Sequence, residues 1–249
     1  MNSYGEFAGV YDRLMSDVDY DAWSAYIDLL LRRCFADAPG VCALHECACG
    51  TGLLSTRLSA LGYALTASDV STDMLRVAQE KAMRLGQRIP FVRQDMRHLT
   101  LHKPVDAIIA ACDGANYLLG TDDLTAFFSA ALDNLKPDGV LLFDCSTEYK
   151  LSRVIGYHTF GEDDGDVAYL WKNAYDDRTR LSEMRLSVFV REGTLYKRFT
   201  ERHVQRAHRS AEIQNALNRC GFNRIECFDA FTLLPETEAS ERVQWVARR

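Results

Sequence analysis

The 249-residue chain lacks any apolar run approaching the roughly 18 residues that a membrane-spanning helix requires. Its first residues, MNSYGEFAGVYDRLMSD, contain neither a basic leader nor an apolar stretch, so no secretory signal is expected there. Positive charge is not in surplus: 29 Lys and Arg face 35 Asp and Glu, a net charge of −6. A nucleic-acid-binding surface normally needs such a surplus to displace counterions, so nucleic acid is a disfavoured partner. Arg198, Arg202, Arg206 and Arg209 lie close together and read either as a local basic patch or as the solvated side of a strand and helix start. Metal-ligand spacing is also missing. Cys47-Ala-Cys49 lacks the two-residue gap of a zinc knuckle, no Cys/His pair follows, and no metal is expected. Cys47, Cys49, Cys112, Cys145 and Cys227 sit in apolar runs and read as buried free thiols of a reducing, cytoplasmic protein. There is no internal repeat and no low-complexity linker.

What is present is an ordinary globular balance, 47% hydrophobic and 26% charged. At roughly 100–200 residues per domain, this length fits one large domain or a domain with a lobe. Residues 4–37 read as a helical cap: Phe7, Val10, Tyr11, Leu14 and Met15 fall at helical spacing, then Trp23, Tyr26, Ile27, Leu30 and Leu31, until Pro39-Gly40 breaks the pattern. Strand candidates then alternate with helices: 41–47, 63–68, 89–93, 105–111 and 140–143. Ser71 and Thr121 are candidate helix caps, and Lys136 to Gly139 a turn. Leu124, Phe127, Phe128, Ala131, Leu132 and Leu135 repeat as one helix face. This alternation predicts a doubly wound α/β fold with a parallel sheet covered on both faces. After Leu151 the pattern changes to consecutive strands at 167–175, 180–191 and 194–207, which implies an antiparallel sheet. A helix at 210–219 and strands near 223–230 and 241–247 return to α/β. The expected organisation is an α/β domain from 1–150 and 208–249, interrupted by an antiparallel β lobe at 151–207.

Three elements at successive strand ends carry the functional argument. Glu46-Cys-Ala-Cys-Gly50-Thr-Gly52 turns from strand to helix, where glycines admit close approach and free N–H groups face a ligand. Open α/β sheets bind ligands outside these strand ends. A dinucleotide fingerprint would have a third glycine where Ser55 stands, which disfavours a nicotinamide oxidoreductase. Asp69 ends the second strand, where a carboxylate can accept from ribose hydroxyls, and Asp95-Met96 follows the third.

The series Leu44-His-Glu46-Cys-Ala-Cys49-Gly50-Thr-Gly52, Ser68-Asp69-Val-Ser71 with Met74, Asp95-Met96 and Leu135-Lys-Pro-Asp-Gly139 resembles the motifs of class I S-adenosylmethionine-dependent methyltransferases. The opening around Phe7, Tyr11, Asp12 and Met15, together with Cys112-Asp113 and Asn116-Tyr117, is similar to a narrower bacterial group related to small-molecule methyltransferases. The resemblance implies a Rossmann-like seven-stranded sheet and S-adenosyl-L-methionine as cofactor. It implies that Glu46, Cys49, Gly50 and Gly52 face the methionine part, and that Asp69 holds the ribose. Val70, Met74, Asp95 and Met96 would surround the adenine, Cys112 would lie near the sulfur, and Tyr11, with Trp23, would close over the cofactor. Ala48 replaces the first glycine of the motif. His45 stands where an aliphatic residue is usual and reads as a packed His.

The acceptor implied is a small molecule carrying a reactive N or O atom. For an oxygen acceptor a general base helps, and His203 is the first candidate because Glu201, His203 and Gln205 share one face of a strand. Asp113 is the second, with Asn116 beside it. Tyr157, His158, Tyr169 and Trp171 are candidate pocket linings or core aromatics. An RNA methyltransferase and a non-catalytic cofactor-binding scaffold remain the alternatives, and a homodimer is an open expectation.

Overall fold

The computed structural model describes residues 3–36 and 42–249. The expected helix breaker Pro39-Gly40 and the expected first strand residue Val41 lie outside them. Two amphipathic helices, α1 (Ser3–Leu14) and α2 (Tyr20–Cys34), precede the sheet. Asp19 caps α2 by accepting from the Ala22 N–H at 2.8 Å.

The first sheet contains β1 (Ala43–Cys47), β2 (Ala64–Asp69), β3 (Phe91–Arg93), β4 (Val105–Ala110), β5 (Leu135–Ser146), β10 (Arg224–Asp229) and β11 (Arg242–Arg248). Their order is β10-β11-β5-β4-β1-β2-β3. Strands β3, β2, β1, β4 and β5 run parallel, while β11 is antiparallel to both its neighbours. Helices α3 (Leu53–Ala60), α4 (Thr72–Arg84), α5 (Thr121–Asn134) and α6 (Ser210–Cys220) fill the crossovers. Two apolar layers form, one between the sheet and α2–α3, the other between the sheet and α5–α6. Burial on both faces is why β1, β4 and β5 read as apolar runs rather than alternating ones.

The second sheet is the expected antiparallel lobe with one strand more than the pattern showed: β6 (Thr159–Asp163), β7 (Val167–Asp176), β8 (Leu181–Glu192) and β9 (Leu195–Arg206), in that order. All five residues of β6 are exposed, so it has no buried face to leave a period-two trace. The sheet's apolar face, Val167, Val188 and Phe199, packs on Phe7 and Ala8 of α1, which in turn covers Met74 of α4. Thus α1 is layered between the two sheets' elements.

Two local expectations need correction. The α5 N-cap is Gly120, not Thr121, and no side chain caps it. Lys136 to Gly139 lies within β5 rather than before it. Asp138 turns left-handed at φ +62°, and the register with β4 shifts between Val105 and Ala107, so turn and strand coexist as an irregularity. Among the described residues no helix is long and apolar enough to cross a membrane.

Candidate functional site

Strand order reverses between β1 and β4, and a cavity opens there at their carboxyl ends. Glu46, Gly50, Cys49 and Cys112 line it, with Tyr11 from α1 and Tyr20 from α2 as its outer wall. The turn after β1 is tight. Ala48, Gly50 and Gly52 all have positive φ, at +52°, +53° and +72°. A Cβ on Gly52 would meet Ala78 at 3.1 Å and the Phe91 ring at 3.3 Å, so this position requires glycine.

Glu46 is buried at the end of β1. Burial pushes its carboxyl up to about 8, the Ser55 hydroxyl bond partly offsets this, and Asp69 adds to it. Ser55, where a dinucleotide fingerprint has glycine, is therefore the donor that this carboxylate uses. Asp69 accepts from the Gly50 N–H at 2.8 Å through Oδ2 and from the Ser71 N–H at 2.8 Å through Oδ1. Its carboxyl is raised by burial against the pull of those backbone donors. Beside it Val70 is 59% exposed, an aliphatic surface next to a half-buried acid, and Met74 lies in the first turn of α4 with its N–H on Ser71 Oγ at 3.3 Å. Asp95 ends the third strand's loop. It bonds the Arg97 guanidinium at 2.6 Å, and Arg97 reaches on to Asp123 at 2.8 Å. Met96 follows in a 3₁₀ turn and packs under Gly114, where its methyl lies 4.0 Å from a built Cβ.

The corner after β4 is left-handed at two consecutive residues, Cys112 (φ +58°) and Asp113 (φ +67°). A largely buried charge cluster, with Asp144 fully buried and Asp113 and Arg242 partly so, holds it. Arg242 of β11 bonds Asp113 Oδ1 at 2.7 Å and Oδ2 at 3.0 Å, and also bonds Asp144 of β5. Ser146 Oγ donates to Asp113 at 2.6 Å, and Trp23 lies over the guanidinium at 5.3 Å. Burial would raise Asp113, but Arg242, Lys150 and the hydrogen bonds outweigh it and hold the carboxyl low. Asp144 is pushed up to about 6 by burial and by Asp113, despite Arg242. Both Asp113 oxygens lie on Arg242, so the residue expected as the second candidate base is placed here as an anchor of the corner. Asn116 is a fully buried clamp, accepting from Ser146 N–H and donating to the carbonyls of Ser146 and Arg206.

His203 sits where β9 meets α1 and the turn Gly114–Tyr117. Its ring is 5.5 Å from Phe7 and 6.0 Å from Tyr117, and Nδ1 is 3.3 Å from the Tyr117 hydroxyl. Burial lowers its pKa. Glu201 and Gln205 on the same face are buried, so this face points inward. Tyr157 and His158 do not line the pocket: Tyr157 is exposed and donates to the Tyr175 carbonyl, and His158 lies beyond the π-helical turn Lys150–Val154. Tyr169 packs toward α1 and Trp171 against that turn. Trp23 packs on Phe231 and Arg242 rather than over the cavity. His45 is a packed His, its ring between Thr66 Oγ1 at 2.8 Å and Ser68 Oγ at 2.9 Å, with a pKa lowered by burial to about 4.

Sequence reasoning missed Arg242 as the partner of Asp113, 129 residues away. It also missed Thr51, Asp12 and Lys81, which join at the turn; no local pattern marks such contacts.

A methyltransferase-domain family model matches residues 45–139. The Bacillus subtilis protein YqeM, provisionally named a methyltransferase, is 36% identical over 249 residues, 99% of this chain and 97% of that one. The crystal structure of an S-adenosylmethionine-dependent methyltransferase from Clostridium acetobutylicum matches with a TM-score of 0.87 at 34% identity, covering 99% of each chain. The sugar N-methyltransferase KedS8 from Streptoalloteichus shares the fold, with a TM-score of 0.80 at 20% identity over 96% of this chain and 92% of that one.

Proposed function

The chain belongs to the class I S-adenosylmethionine-dependent methyltransferases, and from that premise we propose that it methylates an N or O atom of a small-molecule acceptor held beneath the inserted sheet. The observation that carries the cofactor site is Glu46: a buried carboxylate with one hydroxyl donor, on the wall of a cavity shared with Gly50, Cys112 and Tyr11. A ligand ammonium would supply the missing counter-charge, hold this carboxyl ionised and donate to it. In this reading Glu46 and the Cys49, Gly50 and Gly52 turn hold the methionine part, and Asp69 holds the ribose. Val70, Met74 and Met96 offer apolar faces to the adenine, and Asp95 accepts from its amino group. Cys112 flanks the sulfur, and Tyr11 covers it.

When bound, the cofactor supplies an activated methyl sulfonium. The chain's task is to orient the acceptor and exclude water, effects worth on the order of 7–11 kcal/mol in favourable cases. Helix α1 supplies the water-excluding wall. His203, kept neutral by burial, has a ring nitrogen able to hold the acceptor's proton while the Tyr117 hydroxyl orients the ring. Amines are the acceptors to screen first, because KedS8, of the same fold, is a sugar N-methyltransferase.

Calorimetric titration with S-adenosylmethionine, S-adenosylhomocysteine and NADH tests the site. Micromolar binding of the first two and none of NADH is expected; no binding of either sulfur compound would refute the reading. With an acceptor in hand, His203→Ala should lower turnover about 100-fold or more while cofactor affinity stays unchanged. Equal turnover removes His203 from the mechanism.

A further inference from the structure

Three consecutive residues of α1 face three different things. Tyr11 lines the cavity. Asp12 turns toward the domain core: its Oδ1 accepts from Thr51 Oγ1 at 2.5 Å, and its Oδ2 is 2.7 Å from Lys81 Nζ of α4. Lys81 Nζ also donates to Thr51 Oγ1 at 3.3 Å, so the three groups close a triangle. Arg13 turns outward, to Asp164 at 2.5 Å and Asp166 at 3.3 Å in the loop between β6 and β7. Thr51 is buried and is the middle residue of the Gly50-Thr51-Gly52 turn. The Lys81 side chain is only 12% exposed and that of Asp12 is 40% exposed, so the pair is covered on its lysine side and open to salt on its aspartate side, whereas both partners of the Arg13–Asp164 pair lie open. Burial lowers the Lys81 pKa, and Asp12 pulls it back up.

A 12-residue helix such as α1 is marginal by itself and owes its place to tertiary contacts. Its apolar side packs on the inserted sheet, which leaves the Asp12–Lys81–Thr51 triangle as its polar fastening to the cofactor turn. We propose that Asp12 and Lys81 are positioning residues that clasp α1 over the bound cofactor, so that cofactor leaves only after this clasp opens. The proposal rests on the assignment of the cavity as the cofactor site. Asp12 holds the backbone that presents Tyr11, and through Thr51 it ties that backbone to the glycine turn. Neither Asp12 nor Lys81 lines the cavity, so both act through their neighbours.

The test is release of radiolabelled S-adenosylmethionine after dilution into excess S-adenosylhomocysteine. Truncating one partner of a half-buried, hydrogen-bonded charge pair acts mainly on dissociation, so Asp12→Asn and Lys81→Met should each release cofactor about tenfold faster. The double exchange Asp12→Lys with Lys81→Asp should recover most of the slow release, which a purely structural role would not produce. Wild-type release should also quicken with salt, and that dependence should shrink in Lys81→Met; this comparison stands even if Asp12→Asn folds poorly. Release within about twofold of wild type in the single variants would overturn the clasp while the wild-type protein still binds cofactor. Tighter binding by the variants at unchanged release would overturn it as well. If the wild-type protein binds no cofactor, the assignment of the site fails instead.

Discussion

Two neighbouring corners at the carboxyl edge of one sheet bury acid in opposite ways. After β1, Glu46 is buried with a hydroxyl and no cation, and its carboxyl rises to about 8. After β4, Asp113 is half-buried and meets Arg242 with both oxygens, and its carboxyl falls. Burial acts on both in the same direction; the counter-charge decides the outcome. The difference separates roles. A committed ion pair is a strut, here holding the left-handed Cys112–Asp113 corner. A buried acid without a cation is a socket whose missing partner is a ligand group.

The largest effect should come from removing the strut's cation. Arg242→Met leaves the fully buried Asp144 without its ion-pair partner and Asp113 with only Lys150 and Ser146 nearby, and should cost about 3–5 kcal/mol in urea unfolding at pH 8. The loss should shrink toward pH 5, where the orphaned carboxyls take up protons. If the loss is under 1 kcal/mol, the strut contributes nothing and the contrast collapses.

Next in size is the pH dependence of the socket. The folded Glu46 carboxyl binds its proton more tightly than the unfolded one, whose pKa is near 4.5. Its contribution to stability is therefore complete below about pH 4.5 and is lost as pH rises through about 8. Cofactor-free wild-type protein should lose roughly 3 kcal/mol between pH 5 and pH 8, at 1.36 kcal/mol per unit. Glu46→Gln should flatten that slope while weakening cofactor binding. An unchanged slope in the variant would show that Glu46 is not the group responsible.

Asp69→Asn sharpens the comparison within the site. The smaller perturbation keeps the side chain's size, yet it removes the charge that would meet two ribose hydroxyls. Affinity for S-adenosylmethionine should fall about 100-fold by calorimetry, as for two charge-assisted hydrogen bonds. Unchanged affinity would remove Asp69 from the site.

The smallest effect concerns the turn itself. Ala48 holds φ +52°, a region that costs an L-residue about 1–2 kcal/mol. Glycine relieves that strain but gains freedom in the unfolded chain, so Ala48→Gly should stabilise by about 0.5 kcal/mol or less in thermal unfolding.

Several features were legible because their signals are local. Apolar runs and turn residues located β1, β2 and β4 to within a residue or two, and Ser71 is the cap its position announced for α4. Strand β6 was not legible, since an exposed five-residue strand buries nothing. The length of β5 was hidden by Pro137 and Gly139, turn residues that the structure absorbs as a bulge. His203 was identified as part of an inward or outward face, and only packing against Phe7 and Tyr117 decided which. Tyr157 and His158 read as pocket linings or core aromatics, and the structure places them past the π-helical turn, with Tyr157 exposed.

By itself the sequence determined the order of strands and helices other than β6, the glycine turn after the first strand and the acids at successive strand ends. Each of these depends on residues within a few positions of one another, where backbone sterics and side-chain periodicity act. The tertiary structure alone decided which acids are struts and which are sockets. Asp113 meets Arg242 across 129 residues, Asp12 meets Thr51 across 39, and no described residue supplies a cation to Glu46. Charge pairing in a buried site depends on distance through space, and distance along the chain carries no record of it.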